Sequence, residues 1–354
     1  MCVQSQIANL RSGAEYMAWV EPWYSRSQVK REGYWLREQD APINTEVIRN
    51  WRTSHGYPLH HFYISLKSRS RKVNPNSFVS QRLKRLPSIY AKLRRERSMQ
   101  LTTMQDIAGC RAVMPAIKDV HDLIANYNLG VFQHEFDHAK DYIANPKSSG
   151  YRSHHLIYRY KSATRTAYED MRVELQIRSA LQHAWATGVE TIDIFTRQAL
   201  KSSHGHADWE RFFILMSTAF AAKEKTAPVE GAPSGRELLQ EICHLRETLQ
   251  VTKKLKSYKS FRNILGFKEL QKPDLVLLKM AVQNEKSIIR VQGFSSAEME
   301  EAYAAYYLAE AEENSDAVLV ASARTRNLKR AFPNFFADTD VFIREVDAIV
   351  EHGK

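Results

Sequence analysis

Apolar positions along this chain recur with two periods, and each period predicts a kind of element. In MRVELQIRS, Val173, Leu175 and Ile177 alternate with Glu174, Gln176 and Arg178, the repeat of a strand with one core face and one polar face. Further strands are predicted over Ile107 to Met114 and Leu156 to Tyr160, with a helix over Ile117 to Tyr127. Upstream, Asn44 or Thr45 caps a helix running through Trp51, and Pro58 opens another reaching about Lys67. In LPSIYAKLRRE, Pro87 and Ser88 start a helix that places Ser88, Lys92 and Arg95 on one side and Ile89 and Leu93 on another. Helices return from about Ser179 to Ala222, where Phe212 to Ala222 reads as a buried segment.

Trp19, Trp23, Tyr24, Tyr34 and Trp35 follow no period, which suggests an aromatic-rich arm packed on the main body. TAPVEGAPSGR, from Thr226 to Arg236, reads as a linker, and Ser234 with Glu237 forms a capping-box signal for a following helix. Beyond it, strands are expected over Leu275 to Val282, Ser287 to Phe294 and Ala317 to Ala321. An acidic helix over Ala297 to Glu313 and a final helix from Thr339 complete the pattern. The expected organisation is an α+β chain with an arm over 1–42, a main domain over 43–225, a linker over 226–236 and a small α/β domain over 237–354.

Composition narrows the class. The 354 residues are 44% apolar and 26% charged, ordinary globular values that exclude collagen-like and wholly disordered chains. No run approaches the ~18 apolar residues of a membrane span, and the first residues lack the order of a signal peptide, so a cytoplasmic protein is expected. Cys2, Cys110 and Cys243 lie too far apart for a zinc or disulfide pattern. His134, Asp137 and His138 read as part of a polar surface loop. The net charge of +11 sits in one place: Arg49 to Arg97 holds thirteen Lys or Arg against Glu96 alone. Such a run suits a polyphosphate or nucleic acid, and Arg82, Lys84 and Arg85 lead directly into a helix start.

Three segments bear candidate chemistry. Glu174, Gln176 and Arg178 share one strand face, as a metal and nucleotide site needs or as a half-exposed edge strand shows. In MQDIAGCRAVM, Asp106 and Arg111 fall on opposite faces of an unbroken strand, so either Asp106 precedes the strand or Gly109 bends it. In DYIANPKSSGYRSHHLIYRY a turn at Asn145 to Gly150 places Lys147 and Tyr151 on a loop rim, before His154 and His155 enter a strand.

Together RLKRLPSIYAKLRRE, DIAGCR, NPKSSGYRSHH and VELQIRS with HAWA resemble, in order, the motifs of the synthetase domain of RelA/SpoT enzymes, including small alarmone synthetases. The resemblance covers roughly Arg49 to Phe195. It implies a nucleotidyltransferase-like mixed sheet flanked by helices, and transfer of the β,γ-pyrophosphate of ATP to the 3′-hydroxyl of GDP or GTP. On this resemblance Arg82, Lys84, Ser88, Lys92, Arg95 and Arg111 would bind ATP. Asp106 and Glu174 would be catalytic and hold Mg²⁺, with Glu174 as base. Lys147, Tyr151 and His155 would bind the acceptor, supported by Gln176 and Arg178. Ser149 and His154 depart from the usual loop, and the hydrolase domain of longer members has no counterpart, so synthesis alone is expected.

Two other readings stand beside this one. An enzyme of the toxic branch would pyrophosphorylate the 3′ end of tRNA, with Arg49, Arg52, Arg69, Arg71 and Lys72 on the RNA backbone. A nucleotide- or RNA-binding module would lack turnover. The family admits homo-oligomers and a neutralising antitoxin as partners; no membrane partner is expected. LKRAFPNFFADTDVFI, Leu328 to Ile343, resembles the end of a C-terminal extension in longer single-synthetase proteins. The acidic helix before it reads as a solvated face or as an internal brake on the basic segment.

Overall fold

The computed structural model describes residues 19–38, 43–129, 132–199, 206–260, 262–265, 273, 275–283, 286–312, 315–321 and 339–352. Helices α1 (Arg26–Glu38), α2 (Thr45–Ser54) and α3 (Gly56–Val73) lead into β1 (Phe78–Leu83) and α4 (Leu86–Arg95). Then come β2 (Ala108–Met114), α5 (Ile117–Leu129), β3 (Glu135–Asp141), β4 (His154–Arg159) and β5 (Arg172–Ser179). These five strands form one sheet in the order β1-β2-β5-β4-β3. β2 and β5 run parallel and the other pairs antiparallel, so β5 is central.

Alternation divides this sheet into two chemistries. Val173, Leu175 and Ile177 of β5 join Ala108, Cys110, Ala112 and Met114 of β2 in a core with Phe62 and Leu66 of α3 and Leu123 of α5. Fully burying such a side chain stabilises the fold by about 1.5–3 kcal/mol. Burial pushes the Cys110 thiol up, so it is inert at neutral pH. The opposite face carries the polar residues taken up below.

A second core joins α6 (Ala180–Ala199), α7 (His206–Glu224), α8 (Gly235–Thr248), α9 (Val251–Ser260) and α11 (Asp340–His352). Phe342 of α11 is fully buried among Phe212, Phe213 and Phe220. Gly188 of α6 receives its ring: a Cβ there would lie 3.1 Å from Phe342 Cδ1. Helical packing thus links residues on both sides of the 226–236 stretch.

The third unit is a sheet of β6 (Arg262–Leu265), β7 (Leu275–Gln283), β8 (Lys286–Phe294) and β9 (Ser315–Ala321), ordered β6-β8-β7-β9. α10 (Met299–Ala311) covers one face with Ala302, Tyr306 and Ala309 against Leu275, Leu277 and Ala317. β9 lies against β1. Tyr306 also reaches Arg52, whose Nη2 donates to the phenol oxygen and whose guanidinium sits 5.2 Å from the ring centroid.

Several sequence expectations shift. Asn44 caps α2, accepting from the Glu46 amide at 3.1 Å, while Ser234 makes no side-chain cap bond to α8. α1 replaces part of the expected arm, and β1 and β6 form where no strand was expected. His134, Asp137 and His138 do not form a surface loop: His134 is buried, its ring stacked 4.4 Å from Phe62, and Asp137 and His138 lie on β3. Long-range pairing with β4 outweighed the local polarity there. Residues 1–18 and 39–42 of the arm, and most of Leu328 to Ile343, lie outside the described residues. Among the described residues no helix is long and apolar enough to cross a membrane.

Candidate active site

Register assembles the polar face. Arg111 of β2 pairs with Gln176 of β5, which pairs with His155 of β4, so three strands place these side chains in one row. One step along, Gly109 and Ile157 flank Glu174. Both ladders run through Gly109 without a break, and Asp106 lies just before β2, which resolves the alternative left open by the sequence.

The row is a continuous hydrogen-bonded chain. Tyr151 Oη lies 2.9 Å from His155 Nε2, and His155 Nδ1 lies 2.8 Å from Glu174 Oε1. A carboxylate only accepts, so Nδ1 carries the proton and Nε2 faces the phenol. Gln176 Nε2 donates to Glu174 Oε2 at 2.8 Å, and Arg111 Nε donates to Gln176 Oε1 at 3.3 Å. Glu174 is only 8% exposed. Burial alone would raise its pKa, and Asp106 adds to that; the bonds from His155 and Gln176 outweigh both and hold the carboxyl below its ordinary range. Burial raises the Tyr151 phenol, which therefore keeps its proton.

Asp106 has different partners. Lys84 and Lys92 each approach one of its oxygens at 3.0 Å. Burial would raise this carboxyl, and the two ammonium groups reverse the shift. Lys92 reaches it from α4, whose buried Ile89 and Leu93 fix the opposite side of the helix. Arg52 Nε donates to the Lys84 carbonyl at 2.6 Å, so the α10 contact at Arg52 continues to the residue that holds Asp106.

Arg178 is fully buried, with Nη2 2.7 Å from His183 Nδ1 and Nε without a hydrogen-bond partner. Burial and then the like charges of Arg178 and Arg82 lower the pKa of Arg111. Cations kept this close in a partly dry site are costly unless an anion joins them.

The loop before β4 is tightly built. Asp141 Oδ1 accepts from the amides of Ile143 and Ala144 at 2.9 and 3.0 Å. Gly150 has φ +89°, and its carbonyl accepts from Ser217 Oγ of α7 at 2.7 Å. Arg152 Nε donates to the same hydroxyl at 2.8 Å. Lys147 Nζ stands 4.7 and 5.3 Å from the ring centroids of Tyr142 and Tyr151.

Of the residues singled out from sequence, Arg111, Tyr151, His155, Glu174 and Gln176 meet in one chain, and Lys84, Lys92 and Asp106 in a second cluster. Arg82 lies exposed on β1 opposite Gly109, and Ser88 is half-buried in the first turn of α4. Arg95 stands apart at the exposed end of α4, paired with Glu96 at 3.0 Å. Sequence reasoning missed Tyr142, which edges onto both Tyr151 and His155, and the Arg152–Ser217 link. No local pattern announces a partner 65 residues away. Among the described residues no three His, Cys, Asp or Glu side chains converge as a metal-binding group. Asp106 and Glu174 offer oxygen ligands only, the type Mg²⁺ takes, one or two carboxylates being completed by substrate phosphates.

Residues 81–198, about a third of the chain, match the model of the region found in RelA / SpoT proteins. It is 37% identical over 120 residues to GTP pyrophosphokinase YjbM of Bacillus subtilis, covering 32% of this chain and 54% of that protein. To GTP pyrophosphokinase YwaC of the same organism it is 33% identical over 123 residues, covering 32% and 56%. The chain thus spans about half the length of the curated relatives it matches. Small alarmone synthetase 1 of B. subtilis, solved with its product pppGpp, aligns at 25% identity and TM-score 0.41, covering 48% of this chain and 89% of that one.

Proposed function

We propose that this protein transfers the β,γ-pyrophosphoryl group of ATP to the 3′-hydroxyl of GDP or GTP. The observation that carries the reading is the chain Tyr151–His155–Glu174–Gln176–Arg111, which keeps a buried carboxylate ionised beside unpaired positive charge. The names of the two pyrophosphokinase relatives support it.

Phosphoryl-type transfer needs positioning and charge neutralisation more than covalent catalysis. Arg82, Lys84, Ser88, Lys92 and Arg111 bind the ATP phosphates, Lys84 and Lys92 exchanging Asp106 for phosphate oxygens, while Arg95 stays at the exposed end of α4 with Glu96. Asp106 and Glu174 would hold Mg²⁺, which supplies Lewis-acid neutralisation of the phosphates. Tyr151 and Lys147 hold the guanosine, and His155 orients Glu174. Glu174 takes the proton of the 3′-hydroxyl as its oxygen attacks the β-phosphorus; the bond from that phosphorus to the α–β bridging oxygen breaks and AMP leaves. Gln176 and Arg178 keep the carboxylate and the positive field in place.

Of the five charges read as an RNA track, Arg52 and Arg69 are engaged with partners in the fold. Arg52 is buried, and Arg69 bonds to Asn126 and lies over Tyr127 and Phe132. Arg71 and Lys72 remain exposed, where a tRNA acceptor would meet them. Purified protein incubated with γ-labelled ATP, Mg²⁺, GDP, GTP and total tRNA decides: label on a guanosine nucleotide is expected. Label on tRNA alone replaces the acceptor, and label on none removes the enzyme reading.

A further inference from the structure

The polar face of the first sheet continues past Glu174. Two residues earlier on β5, Arg172 lies on the same side of the strand and pairs in register with Arg159 of β4. Both guanidiniums hold Asp137, Arg159 Nη2 at 2.7 Å and Arg172 Nε at 3.2 Å. Beside them a cavity of about 360 Å³ opens towards the first turn of α1 and the 3₁₀ turn Leu101–Thr103 that precedes Asp106. Arg26, Lys30, Arg159 and Arg172 line it with two threonines, against one carboxylate, Asp170.

That carboxylate is already held by Lys161 at 2.7 Å. Arg26 donates to the Glu169 carbonyl and so keeps its full charge. Lys30 is exposed and makes no ion pair among the described residues, and Arg159 Nε is buried without a hydrogen-bond partner. Asp137 and Glu135 already match Arg159 and Arg172, so the positive charge left to the cavity is that of Arg26 and Lys30, beside the hydroxyls of Ser27, Thr102 and Thr103, a donor-rich lining with the chemistry of a phosphate site.

The geometry points to a second phosphate-binding subsite in this cavity, taking a phosphate of the acceptor while Glu174 faces the 3′-hydroxyl. This rests on the proposed transfer only for the word acceptor; the phosphate affinity is independent of it. Arg172 and Glu174 are about 6.6 Å apart along the strand, a span that one nucleoside unit bridges. Two sources offer that phosphate: the 5′-phosphates of a free guanosine nucleotide, or the backbone of an RNA whose 3′ end is the acceptor.

The full chain and its Lys30→Glu and Arg26→Glu variants, both at exposed positions, test this. Binding of GDP, guanosine and tRNA is titrated without ATP, and KM is measured for each acceptor and for ATP. Each variant is expected to weaken phosphate-bearing acceptors about tenfold and to leave KM for ATP within about twofold. If 5′-phosphates fill the cavity, the loss appears with GDP and is absent with guanosine. If RNA fills it, the loss appears with tRNA, and the slope of log K against log salt becomes shallower by about one. Unchanged binding of both GDP and tRNA, or no binding of either by the unaltered chain, overturns the subsite. Absence of transfer with intact, variant-sensitive binding overturns the enzyme reading and leaves the subsite standing.

Discussion

β5 buries Val173, Leu175 and Ile177 on one side and turns Glu174, Gln176 and Arg178 to the other, whereas β7 buries Leu275 and Leu277 on one side and Val276, Leu278 and Met280 on the other. In the second sheet β7 is apolar on both faces as far as Lys279, which pairs with Glu312; α10 closes one face, and the result is a fold unit. In the first, a half-dry face keeps Asp106, Asp137 and Glu174, each tied to a specific partner, beside cations such as Arg178 whose Nε has none. Polar groups taken from water cost stability unless bonded, so a sheet that keeps them has traded packing for chemistry.

Breaking the polar face at its centre should give the largest effect. Glu174→Gln is expected to lower the initial rate of pyrophosphate transfer about 10²–10⁴-fold, with ATP binding by titration unchanged. A loss under tenfold would show that Glu174 is not the base.

Next comes acid sensitivity of the surrounding core. His55 is fully buried, its Nδ1 2.6 Å from the Trp51 carbonyl, and burial lowers its pKa from 6.5 to about 4. An unfolded chain takes up this proton below pH 6.5 and the folded chain does so only near 4, so stability should fall across that window by about 3 kcal/mol. Asp106 and Glu174 act in the same direction at lower pH: their folded pKa values are depressed, so the stability they add above the ordinary carboxylate range is lost as pH falls through and below that range. Denaturant melts of the protein and of His55→Gln at pH 6.5 and 4.5 check this, the variant being expected to show the shallower fall.

Gly150→Ala should disturb the acceptor loop. At φ +89° a side chain is strained, and its Cβ would lie 2.9 Å from Ser217 Cβ and 3.1 Å from Trp185 Cζ2. A destabilisation of about 1–3 kcal/mol and a raised acceptor KM with unchanged ATP KM are expected by melt and steady-state kinetics.

The smallest effect concerns the seam between the sheets. Tyr306→Phe removes the bond from Arg52 and keeps the ring beneath the guanidinium, so a loss of about 1.5 kcal/mol or less is expected. A change in transfer rate without a matching change in stability would show that the second sheet acts on Lys84 and Asp106, and would sharpen the contrast drawn between the units.

Much of this was legible in the sequence where one segment held both periodicity and chemistry: β5, α4 and the Asn145 to Gly150 turn declare themselves. β3 did not, because EFDHAKD has no apolar face of its own and becomes a strand only by pairing with β4. Nor could residue types show that Lys84 and Lys92 meet on Asp106, or that Arg52 and Arg69 point inward, since those outcomes depend on how α2, α3 and the sheet dock. Local alternation names a face; register names the neighbours.

Phe342 seats against Gly188, in the helix that leaves β5, and fills a space among Phe212, Phe213 and Phe220. During synthesis the first sheet emerges from the ribosome well before this ring does. A nascent chain halted before α11 would display three uncovered phenylalanines beside a finished polar face, a ready mark for chaperones and proteases.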